Sequence, residues 1–228
     1  QGGDINIRSD SENSINAAGV LETYSEAGIA GNVSLTSPGS INIRSIRSEG
    51  MEQGGDIQVN SERGEINSTG DIDSHSDAGR GGNIEVNAPE KVTLSDVSSF
   101  GMEKSGDLII QSRAARVNTG NVKTEAPQGN SGSIVINGTE VGTEDLSSIG
   151  TTNAGGIKVE ATRGSIRIYD IENISEGTIG GLRLKATENT TIEDITQKAG
   201  KGDTNANISS GGDITTGDIY QNADNDTN

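Results

Sequence analysis

An apolar-x-apolar pair returns along the whole chain about every 25 residues, and few folds can use such a pattern. The pairs are Ile5/Ile7, Val33/Leu35, Ile57/Val59, Ile84/Val86, Leu108/Ile110, Ile134/Ile136, Ile157/Val159 and Leu182/Leu184, with a weaker ninth at Ala206/Ile208. Their spacings are 28, 24, 27, 24, 26, 23, 25 and 24 residues. A second column keeps step: Ile41, Ile66, Val92, Val117, Val141, Ile166, Ile192 and Ile214. So does a third: Ile46, Ile72, Val97, Val122, Leu146, Ile171, Ile195 and Ile219. Three phase-locked columns predict three short strands per repeat.

Alternate residues of a strand face one side, so each pair buries one apolar strip. Strands this short are unstable alone. Stacking each on its equivalent in the next repeat pairs the backbones and joins the strips into one core. Gly, Asn, Asp and Ser between the strands are expected to supply tight corners and positive φ. The predicted fold is all-β: a parallel β-helix, or β-solenoid, of about nine triangular coils. At about 4.8 Å per coil this is a rod roughly 43 Å long. Each coil is expected to contribute about five inward aliphatics. One continuous solenoid spans 1–220, and the polar stretch 221–228 is expected to fray. Coil length varies most between the third strand and the next first strand, as in SIRSEGMEQ and TQKAGKGDT. Those loops are expected to carry any surface function.

Composition agrees with a fold that needs few apolar residues per turn. Ile and Val together number 38 against 7 Leu, which disfavours a helical bundle. A net charge of −17 argues against nucleic acid as a partner. No apolar run is long enough for a membrane-spanning helix. There is no Cys and a single His, His75, so thiolate, zinc-cluster and His-based chemistry have no residues to work with.

The GGDI and GGNI strand openings, and the DI or DV corner before the third strand, resemble filamentous-haemagglutinin-type exoproteins. GEINSTGDIDSHSDAGRGGNIEV (64–86) and GGDITTGDIY (211–220) are similar in style to the repeats of large secreted cyanobacterial proteins. The resemblance implies a right-handed β-helix and export by two-partner secretion to the bacterial surface or beyond. It implies a role as adhesin, matrix component or stalk, with a cell-surface or polysaccharide ligand or with self-association as the partner. The stretch reads as shaft, because neither a secretion domain nor a toxin tip is recognisable in it.

The corner before the third strand holds Ser45, Asp71, Asp96, Asn121, Asp145, Asp170, Asp194 and Asp218. In the last four coils the carboxylates stand in one column, where like charges about 5 Å apart repel. Two readings follow. Each carboxylate accepts hydrogen bonds from turn N–H groups, or Ca²⁺ bridges Asp145, Asp170, Asp194 and Asp218. The corner before the first strand alternates instead: Asp4, Asn32, Asp56, Asn83, Asp107, Ser133. That pattern needs no cation. DIDSHSD (71–77) lacks the Gly and distal Glu of a calcium loop and reads as a solvated loop.

Outward positions of the first strand include Ile109 and Val135 on adjacent coils, the one apolar spot on that face. It is expected either to be covered by a loop or to meet a partner. Lys158, Arg167 and Arg183 are candidates for a small basic patch, and Tyr169 for packing at a corner or stacking on a sugar. With four aromatic residues and no convergent catalytic pair, the expectation is no enzyme and no cofactor beyond Ca²⁺. A polysaccharide-acting enzyme is a distant alternative, to be recognised by a deep groove around Lys158 and Arg183. The leading expectation is a stiff acidic shaft. The alternative is a filament or matrix subunit stacking end to end through open sheet edges.

Overall fold

The computed structural model describes residues 1–10 and 13–223. Among them every regular element is a strand and every pairing is parallel. The first face is a nine-stranded sheet running from Ile5–Arg8 to Ala206–Ser209. Its register follows the repeat: Ile5 pairs Val33, Val33 pairs Ile57, Ile134 pairs Ile157 and Leu182 pairs Ala206. The fold is a β-solenoid of about nine turns.

The second and third faces belong to one 14-stranded sheet. In four coils they are a single strand that bends: Ile15–Ser25, Ile41–Gly50, Ile166–Ser175 and Thr190–Ala199. Three strands per coil therefore become two wherever the backbone stays extended through the bend. The third column has the predicted register throughout, from Leu21 beside Ile46 to Ile195 beside Ile219. The strand at its C-terminal end is Ile219–Ala223, so the solenoid runs three residues into the polar stretch. The remainder of that stretch, 224–228, lies outside the described residues.

One register prediction is corrected. Ile192 does not follow Ile166 in the second column; Thr190 does, and Ile192 pairs Ile168 instead. Ile214 then pairs Thr190. The backbone kept an even rise of 24 residues on each side of Thr190 and buried a threonine to do so. Among the described residues no group hydrogen-bonds the Thr190 hydroxyl.

A second correction concerns glycine. Apart from Gly202, no described residue has positive φ. The glycines are there for close approach. A Cβ at Gly31, Gly55, Gly82, Gly106, Gly132 or Gly155 would lie closer than 3.0 Å to the backbone of the coil before it. These six form one column, and they are the glycine of each strand-opening motif.

The variable loops after the third face also stack. Ile29, Gln53, Arg80, Lys104, Asn130 and Asn153 form a chain of parallel bridges, continued by Asn153–Ala154 against Thr178–Ile179. Bonds such as Ala30 N–H to Gln53 C=O (2.8 Å) and Gly81 N–H to Lys104 C=O (2.9 Å) fix them. Those loops are a narrow fourth ladder.

The inner coils bury four or five Ile, Val or Leu each: five in those beginning at Val33, Ile84 and Ile157, and four in those beginning at Ile57, Leu108, Ile134 and Leu182. The second inward position of the third face is polar in every coil: Thr23, Ser48, Ser74, Ser99, Thr124, Ser148, Asn173 and Gln197, all buried. These groups hold the glycine corner. Ser48 Oγ donates to Gly31 C=O (2.9 Å) and accepts from Gly55 N–H (2.8 Å). Ser74 and Ser99 repeat this with Gly55 and Gly82, and with Gly82 and Gly106. A corner too tight for a Cβ also excludes water, so its backbone polar groups need internal partners.

Candidate functional site

Two ladders of side-chain hydrogen bonds run along the rod. At the corner before the first face, each side-chain oxygen accepts the N–H of its counterpart one coil on. Asp4 takes Asn32 (2.8 Å), Asn32 takes Asp56 (2.8 Å), Asp56 takes Asn83 (2.7 Å), Asn83 takes Asp107 (2.9 Å) and Asp107 takes Ser133 (2.7 Å).

At the bend before the third face the same device starts at Asp96, which accepts Asn121 N–H at 2.8 Å. It continues through Asn121 to Asp145 (3.2 Å), Asp145 to Asp170 (3.3 Å), Asp170 to Asp194 (3.2 Å) and Asp194 to Asp218 (2.8 Å). The hydrogen-bonding reading of these aspartates is therefore right in kind. The donor, however, is the next coil and not the residue's own turn.

Stacking carboxylates has an electrostatic cost. Asp170 is held above the usual carboxylate range, first by partial burial and then by the Asp145 charge, against the N–H of Asp194 that favours ionisation. Tyr169 is exposed, not packed into a corner. Glu193 is the main cause that raises its pKa above the ordinary phenol value. Among the described residues no three His, Asp or Glu side chains gather as a metal-binding group. Among the described residues no hydrogen bond reaches the second carboxylate oxygen of Asp145, Asp170 or Asp194.

The bend borders an open groove of about 1100 Å³. It runs along the rod from Glu22 through Arg47, Asp73, Ser98, Lys123 and Ser147 to Glu172, residues in direct register on the third face. Six coil steps at about 4.8 Å make it roughly 29 Å long. Seven carboxylates (Glu22, Asp71, Asp73, Asp96, Asp145, Asp170, Glu172) and three cations (Arg44, Arg47, Lys123) line it. Sequence reasoning found the aspartate column but not the groove, because outward third-face positions vary in chemistry and have no period of their own.

Ile109 and Val135 do pair directly on the first face, and both are half-buried. Lys158 follows Val135, and Arg183 follows Lys158, in the same column. Arg167 points out from the second face and shares no column with them. Neither Lys158 nor Arg183 lines the groove. Glu160 sits between Lys158 (3.7 Å) and Lys185 (3.2 Å), and the Lys185 hydrogen bond lowers its pKa.

DIDSHSD is not a loop. Ile72–Ser76 is a third-face strand with Ser74 and Ser76 buried, and outward His75 stacks on Phe100 at 4.6 Å. No helix among the described residues is long and apolar enough to cross a membrane. No protein-family model, no curated protein and no solved structure matches the chain.

Proposed function

We propose that the chain is a structural and adhesive shaft of a secreted bacterial surface protein, of the filamentous-haemagglutinin kind, with no catalytic role. One observation carries this reading: parallel pairing continues from Ile5 to Ala223, with a register shift between Ala17 and Val20. A stack locked coil to coil by backbone bonds, two side-chain ladders and a continuous core resists bending along its axis. A net charge of −17 keeps such rods apart. Calcium bridging along Asp145, Asp170, Asp194 and Asp218 belongs to the same reading, with neighbouring carboxylates sharing an ion and relieving their repulsion.

Electron microscopy of the purified chain, with calcium and with chelator, tests this. Rod-shaped particles roughly 43 Å long are expected. Compact particles without a long axis contradict the reading.

A second reading is end-to-end assembly into filaments. It rests on Ile214 and Ile219, inward positions of the coil at 206–223 that are 49% and 51% exposed. Another coil covers them in a longer solenoid; a second copy covers them in a filament. Filaments growing along the rod axis in the same images favour the second reading.

A further inference from the structure

We propose that two copies of the chain pair side by side, the cationic strip of the first face of one docking along the acidic groove of the other. This adds a partner to the rod reading. The strip is a single column, Ile109, Val135, Lys158 and Arg183, in direct register. Lys158 and Arg183 are exposed, and Arg183 has no hydrogen-bond or ion-pair partner among the described residues. The groove presents Asp145 on the coil of Val135, and Asp170 and Glu172 on the coil of Lys158. Two rods lying side by side and displaced by one coil therefore set Lys158 against Asp145, and Arg183 against Asp170 and Glu172.

Pitch selects the occupant. Carboxylates at the bend and cations on the strip both repeat once per coil, at about 4.8 Å. An extended peptide repeats its side chains on one face at about 6.8 Å and falls out of step within a few residues. A second copy of this solenoid keeps step over the whole contact. Polyanions are repelled by the groove's own excess of carboxylates.

Strip and groove are different surfaces, so the contact is heterologous and continues into rows or closed rings of rods.

Sedimentation velocity on the chain at about 0.01, 0.15 and 1 M salt tests the proposal. Net repulsion keeps rods single at the lowest salt. Screening it exposes the short-range contacts, so association peaks near the middle value and weakens at the highest. Lys158→Glu with Arg183→Glu should weaken association about tenfold, as should Asp170→Lys with Glu172→Lys. Mixing the two variants should restore it, because the acidic strip of one then meets the basic groove of the other. Glu172→Lys alone serves if Asp170→Lys disturbs the ladder, which circular dichroism reads. Single rods at every salt, or association that both variants leave unchanged, overturn the pairing. Either result leaves the rod reading standing, since that depends on particle shape.

Discussion

The two ladders divide the rod between them, and they are built differently. The first-face ladder runs from Asp4 to Ser133 and alternates charged with neutral acceptors. Among the described residues no bond from Gly156 N–H to the Ser133 hydroxyl continues it, and Gly156 and Gly181, the next two in its column, have no side chain to accept one. The bend ladder runs from Asp96 to Asp218 and ends in four stacked aspartates. Between 96 and 133 both are present. The same halves differ inside. Hydroxyls clamp the glycine corners up to Ser148; the Asn173 amide then donates to Gly180 C=O and the Gln197 amide to Asn205 C=O. The Asn173 carbonyl and the Thr190 hydroxyl are buried without partners. Repeat stability is nearly a sum of coil and neighbour terms, so these differences make the C-terminal coils the weaker half.

The largest effect that breaks this comparison comes from the glycine column. Gly82→Ala places a Cβ against the Gly55 and Asp56 backbone and should cost about 3 kcal/mol. Gly181→Ala meets only Asn205 C=O at 3.7 Å and should change stability by less than about 0.5 kcal/mol. Paired thermal melts read the difference directly. Next is Thr190→Val, which removes an unpartnered buried hydroxyl. It should raise stability by about 1 kcal/mol, or Tm by about 2–4 °C. A loss of stability instead means the hydroxyl has a partner.

Much of this was legible in the sequence, because the period of a stack is imposed on every residue facing the core. The first and third columns could be read because Ile, Val and Leu hold them in nearly every coil. Ile192 misled, since it is apolar and one strand step away from the position Thr190 holds. Buried Ser and Thr were invisible for the opposite reason: a hydroxyl that clamps a glycine corner looks like a loop residue. The aspartate column was legible as a column, but its donors were not. They lie about 25 residues away, and only the register brings them together.

The smallest effects sharpen the charge comparison. Asn83→Asp turns the alternating ladder into three adjacent carboxylates, and Asp170→Asn interrupts the acidic run. The first should destabilise and the second stabilise, each by about 0.5 kcal/mol at neutral pH. Both effects should fade in about 1 M salt, where the Debye length is about 3 Å. Asp170 binds its proton more tightly folded than unfolded, so its contribution falls as pH rises through the carboxylate range. The gain from Asp170→Asn should therefore disappear in acid. Equal effects at low pH and high salt would show that charge is not the cause. Glu160 has the opposite sign: its pKa is lowered, and the stability it contributes is lost as pH falls.

Native-state hydrogen exchange, read by peptide mass, tests the unequal halves most directly. The coils at 33–76 and 157–199 lie at similar depth from the two ends of the stack, so end fraying acts on both alike. The backbone bonds at 157–199 should exchange at least about tenfold faster than those at 33–76, a difference of about 1.4 kcal/mol in opening. Equal protection, or slower exchange at 157–199, contradicts the account.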